Sequence, residues 1–193
     1  MNKKPATLTA RGRKTVLFLL MILIAPSGLF AAGLTIGNIT QENGKRYLRL
    51  SAHSYQGTEI MEAVKRGIEA KVFFQMQIIE NRALNIIYNK VVYDKTYNRS
   101  LRFDFWSRSY VVSERGKKSQ YNSITETLNN FFTLEKIEIP DHKIHRGSSY
   151  RIRARARLVS VELYFPLNYI FQYVVGYWDF DTGWIGGGAI APQ

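Results

Sequence analysis

Polar and apolar residues alternate along most of the chain after residue 33, the period expected of half-buried strands. Residues 150–158 are the clearest case. Tyr150, Ile152, Ala154, Ala156 and Leu158 share one face, and Arg151, Arg153, Arg155 and Arg157 share the other. Residues 46–55 repeat the pattern, with Leu48, Leu50 and Ala52 inward and Tyr47, Arg49, Ser51 and His53 outward. In residues 68–80, Val72, Phe74, Met76 and Ile78 point inward. Further strands are expected over residues 34–40, 83–94 and 134–139. Residues 100–113 read as one long strand. Leu101, Phe103 and Phe105 lie on one side and Arg102, Asp104 and Trp106 on the other, with a bulge near residues 107–109 where the alternation falters.

Turn and cap residues punctuate this pattern. Asn43-Gly44 predicts a tight hairpin, because both central residues of that turn need positive φ. Arg115-Gly116-Lys117-Lys118 reads as a basic turn, Asn98 as another, and Pro140-Asp141 as a stop. Two short helices are expected. One opens at Gly57-Thr58, with Thr58 as cap and Ile60, Met61 and Val64 on its apolar face, and ends at Gly67. The other starts at the capping box Ser123-Ile124-Thr125-Glu126 and buries Ile124, Leu128, Phe131 and Phe132. The predicted fold is mainly β (all-β or α+β): an antiparallel β-sandwich-like domain with two short helices over residues 34–178. Residues 179–193 are read as a flexible Gly-rich tail.

The first 33 residues follow another logic. Five cations without an acid precede the apolar run VLFLLMILIA at residues 16–25, and Pro26-Ser27-Gly28 breaks it. That is the layout of a signal peptide. The uncharged stretch over residues 15–41 keeps an uncleaved anchor helix open as the alternative. Either reading places the rest of the chain outside the cytoplasm, periplasmic or otherwise extracytoplasmic. Residues 1–33 hold five of the 27 Lys and Arg and none of the 15 Asp and Glu, so the remainder still carries 22 cations against 15 acids. Nucleic acid is not expected as a partner in that compartment. Anionic lipid or an acidic envelope protein suits the charge better.

Chemistry is sparse. The chain has no Cys, which excludes disulfides, thiolate metal sites and Cys nucleophiles. No nucleophile elbow, phosphate loop or dinucleotide fingerprint occurs. His142-Lys143-Ile144-His145 lacks both the helical spacing and the companions of a metal site, and Asp179 and Asp181 do not by themselves make a glycosidase pair. No catalytic residue, metal or cofactor is expected. Two features stand above background. The Arg151, Arg153, Arg155 and Arg157 stripe sets like charges about 6.6 Å apart and wants acids, carbonyls or a ligand opposite, with Asp104 or Glu114 as expected partners. It reads either as a solvated sheet face or as an anion- or partner-binding ladder. The uncharged segment 163–178 carries seven aromatics, among them Tyr169, Phe171, Tyr173, Tyr177 and Trp178. It reads either as a last core element or as an interface patch.

Residues 47–178 resemble DUF4390, a bacterial family of exported proteins of unknown function. The matching pieces are Glu62-Ala63-Val64 leading to Gly67-Ile68, Arg108-Ser109-Tyr110-Val111-Val112, the helix from Ser123-Ile124 to Thr127-Leu128, and Tyr150-Arg151-Ile152-Arg153 running to Pro166-Leu167. Family members usually show Leu-Pro-x-Pro-Leu near the last piece, and this chain keeps only the second Pro, at Pro166. The resemblance implies export and a β-rich fold. It brings no catalytic residues, and members are often encoded near nitrogen-type sensor kinases. The expected function is therefore a non-enzymatic interaction module for an envelope protein, a membrane sensor kinase being one such partner. Binding to anionic lipid or an envelope polymer is the alternative.

Overall fold

The computed structural model of the protein describes residues 32–81, 90–145, 147–159 and 178–190. The leader and residues 160–177 lie outside them, and with them Tyr169, Phe171, Tyr173 and Tyr177. The described chain is mainly β. One antiparallel sheet holds four strands and the other seven.

The smaller sheet is built on β3 (Lys45–His53). Along one of its edges lie β1 (Gly33–Ile36) and β2 (Thr40–Glu42), and along the other lies β8 (Thr133–Ile139). The strand expected over residues 34–40 thus divides in two. The Asn43-Gly44 turn forms as the sequence predicts, with both residues at positive φ and Glu42 paired with Lys45.

The larger sheet is centred on β4 (Ala70–Asn81), which pairs along its length with β5 (Lys90–Asp104) on one side and β9 (Ser149–Val159) on the other. β6 (Ser109–Glu114) and β7 (Lys117–Tyr121) continue beyond β5. β10 (Phe180–Asp181) and β11 (Ile185–Ile190) pair with the far edge of β9. Alternation made these strands legible: Val72, Phe74, Met76 and Ile78 are fully buried. Phe74 and Met76 lie opposite Ala156 and Ala154, so large side chains on β4 meet small ones on β9. Both sheets contribute to one hydrophobic core, which joins Leu48 and Leu50 to Phe74, Met76 and Ile152.

The helices are α1 (Gly57–Lys65) and α2 (Ile124–Phe132). α1 ends as expected at Gly67. At φ +94° its N–H reaches Val64 O at 3.0 Å, while Ile68 N–H reaches Ala63 O at 3.1 Å, the two bonds of a Schellman motif. Thr58 is not its cap: Gln56 holds that position and makes no side-chain capping bond. In α2 the Ser123 hydroxyl accepts from Glu126 N–H, as the capping box predicts. Ile124 is exposed rather than buried, and Thr127 takes its place in the interior, its hydroxyl donating to Ser123 O at 2.6 Å.

Three other expectations are corrected. Asn98 is not a turn but an interior residue of β5, paired with Phe73, because pairing with β4 along most of the strand outweighs its turn propensity. The faltering alternation at residues 107–109 is not a bulge. Residues 105–108 form a turn, with Arg108 at φ +51° and Asp104 paired with Ser109 across it. The segment read as a tail from residue 179 pairs as β10 and β11. A Cβ on Gly187 would stand 3.0 Å from Ile36 Cγ2, so Gly187 lets β11 pass close under β1.

Candidate interaction surfaces

The arginine stripe lies on the outer face of the larger sheet, and the register determines what each guanidinium meets. Arg153 is opposite Gln77 on β4, and Gln77 is opposite Asp94 on β5. Arg153 Nε donates to Gln77 Oε1 at 2.7 Å. Gln77 Nε2 donates to Asp94, which also accepts from Gln75 Nε2 at 3.0 Å. A polar chain therefore crosses three strands. Its arginine end lies 4.5 Å from the Trp184 ring centroid, a cation–π contact. Arg155 Nε donates to Asp181 Oδ1 at 2.6 Å, with a second bond from Nη2 to Oδ2. The Arg155 bond holds the Asp181 carboxyl below its ordinary value, helped by the Gly183 N–H. Arg157 lies over the Phe73 ring at 5.5 Å.

Like-charge repulsion along β9 is thus relieved by Gln77, Asp181 and Trp184, not by Asp104 or Glu114. Neither of those acids is on a strand adjacent to β9. Asp104 Oδ1 accepts from Trp106 N–H at 3.1 Å within its own turn, and Glu114 accepts from Arg99. Arg151 and Arg157 remain the exposed members of the stripe, and Arg153 and Arg155 are half-buried. Trp178 is half-buried against the core.

The β5–β6 turn makes a second surface, which the sequence pattern did not single out. Phe105 is 61% exposed and Trp106 is 99% exposed. Their turn is tied at both ends. The Trp106 and Ser107 hydrogen bonds lower the Asp104 pKa, and the Ser107 and Ser109 hydroxyls lie 2.7 Å apart. Behind the tip, the Phe103 ring meets Phe105 and Tyr110, each with centroids 5.2 Å away. A firm base thus carries a large apolar side chain in water, the kind of feature that marks an interaction site.

A third feature is a cleft of about 580 Å³ between β5 and the free edge of β8. His142, of the His142–His145 pair, lies at its margin on a 3-10 turn at Asp141–Lys143. His145 N–H donates to the Tyr150 hydroxyl at 3.1 Å. Among the described residues no three His, Asp or Glu side chains gather as a metal site would require.

Two antiparallel sheets around one core, with basic and aromatic surfaces outside, define a mainly β domain whose most distinctive chemistry is on its exterior. The chain belongs to the family described as Domain of unknown function (DUF4390), whose model matches residues 31–186. No curated protein and no solved structure matches it.

Proposed function

We propose that the protein is a non-enzymatic interaction module that works outside the cytoplasm, carried there by its leading segment and engaging an envelope protein. The observation that supports this most is Trp106, held in solvent by a hydrogen-bonded turn at the end of the β5–β6 hairpin. Because the backbone of the turn is tied before encounter, less conformational entropy is lost when a partner covers the indole. Arg151 and Arg157, on the outer sheet face, supply cations for an acidic partner, and a membrane sensor kinase is one candidate.

Cross-linking the full chain in intact cells tests this. One stoichiometric envelope protein is expected on wild type and is expected to fall at least tenfold with W106S. Equal recovery on both would overturn the reading. Fractionation with N-terminal sequencing tests the compartment: intact chain, Met1 included, in the cytosolic fraction rules it out.

The second reading is an anionic membrane surface as partner, favoured by an exposed Trp on a basic chain. Salt-sensitive flotation with anionic vesicles, lost in R151S/R157S, would decide for lipid over protein.

A further inference from the structure

The cleft between β5 and β8 has an uneven charge balance. On β5, Tyr93, Lys95 and Tyr97 follow one another at period two, opposite Ile78, Met76 and Phe74 of β4, so they share the inner face of the sheet. The acids that line the cleft are already committed. Glu114 is bound by Arg99 and Asp141 by Arg46. Glu138 lies 3.0 Å from Lys45, and Glu135 lies 3.1 Å from Arg49. The cleft's Lys136 is likewise taken, 2.8 Å from Glu42. Two cations are left, Lys95 and Arg115, and among the described residues no carboxylate pairs with either.

Both of these cations meet one ring. Lys95 Nζ lies 5.2 Å and Arg115 Cζ 4.9 Å from the Tyr97 centroid. Tyr97 is 7% exposed and its hydroxyl is linked to that of Tyr93. Burial raises the Tyr97 pKa and the nearby Arg115 opposes the rise, so the hydroxyl stays protonated and remains a donor at neutral pH. Arg115 is fixed from the backbone side as well. It sits at φ +48° in the two-residue turn with Gly116, which joins β6 to β7.

We propose that this cleft binds an oxyanion, a carboxylate or phosphate group, between Arg115 and Lys95 beside the Tyr97 ring. The planar guanidinium of Arg115 offers two parallel N–H donors to such a group, and the Lys95 ammonium adds a point charge. The bound group would supply the negative charge that the cleft's own carboxylates have given to other partners. This site is separate from the Trp106 turn and from the arginine stripe, so it stands or falls independently of the proposed envelope partner.

The test is thermal unfolding of the full chain in sodium phosphate, and separately in citrate, against sodium chloride at equal ionic strength. A saturable rise in Tm of about 3 °C or more at tenfold excess over half-saturation is expected in at least one anion. A rise in phosphate alone assigns the site to phosphate groups, and a rise in citrate alone to carboxylates. K95S/R115S should lose the rise, while R151S/R157S keeps it. No saturable rise in either anion, or a rise unchanged in K95S/R115S, overturns the proposal. If the double variant does not fold, amide chemical shifts of wild type titrated with the same anions decide. Shifts at Lys95, Tyr97 and Arg115 support the site, and a titration that leaves these three unmoved rejects it.

Discussion

Arg99 ties three elements together: β5, which carries it, β6 and the end of α2. Its Nε and Nη2 hold Glu114 Oε2 on β6, and its Nη1 donates to the Asn130 and Thr133 carbonyls at the end of α2. Those are carbonyls that a helix terminus leaves without an internal partner. R99A would strand the Glu114 carboxylate and these acceptors together, at a cost of about 3 kcal/mol. R99K keeps the charge but not the fork and should recover only part of that loss. Urea unfolding of the two variants measures both. Asp181 gives a pH signature. Arg155 holds its carboxyl below the ordinary value of 3.8, so the stability it contributes is present above 3.8 and is lost as pH falls through the lower folded value. Acid titration of wild type against D181N should show that slice of pH dependence in wild type only. The alternation of Arg with Ile, Ala and Leu on β9 was legible because it needs only local period. The Arg155 partner was not, since it arrives 26 residues later on a strand that composition disguised as a tail. Arg99 carried no local mark among 27 cations.

At the scale of elements, local chemistry decided most outcomes. The Asn43-Gly44 hairpin, the Ser123 cap and the Gly67 stop each rest on a few adjacent residues, and each formed where the sequence placed it. G67A should cost about 1 kcal/mol, because the left-handed conformation at φ +94° crowds a Cβ. The readout is the midpoint of chemical unfolding, with helix content unchanged. Elements read from propensity alone were less secure. Asn98 has a turn former's side chain but lies inside β5, paired with Phe73 of β4. Gly186-Gly187-Gly188 looks like tail composition, yet Gly187 is small because another sheet passes above it. The Phe105–Arg108 turn was hidden because its aromatics continue the strand-like pattern into the loop, and that same excess of apolar residues is what makes the turn a candidate interface.

The molecule as a whole depends on β4, bordered throughout by β5 and β9. The mainly β class followed from period-two patterning, since a strand that buries one face needs a second layer to cover it. The division into two sheets did not, because it turns on which strands pair across long separations. Matching of large with small residues locks the β4–β9 register. A154L would push three extra carbon atoms against Met76 and is expected to destabilise the domain by about 1–3 kcal/mol, read as a lowered Tm in calorimetry.

The contact of Gly187 with Ile36 joins the first described strand to the last. β1 must therefore wait for almost all of the following strands before the one that covers Ile36 exists. Assembly is governed by late, long-range closure. A nascent chain stalled before residue 185 would lack the strand that pairs with Tyr150–Ala154 of β9 and passes close to Ile36, so this contact between the two layers closes only after residue 190 is made.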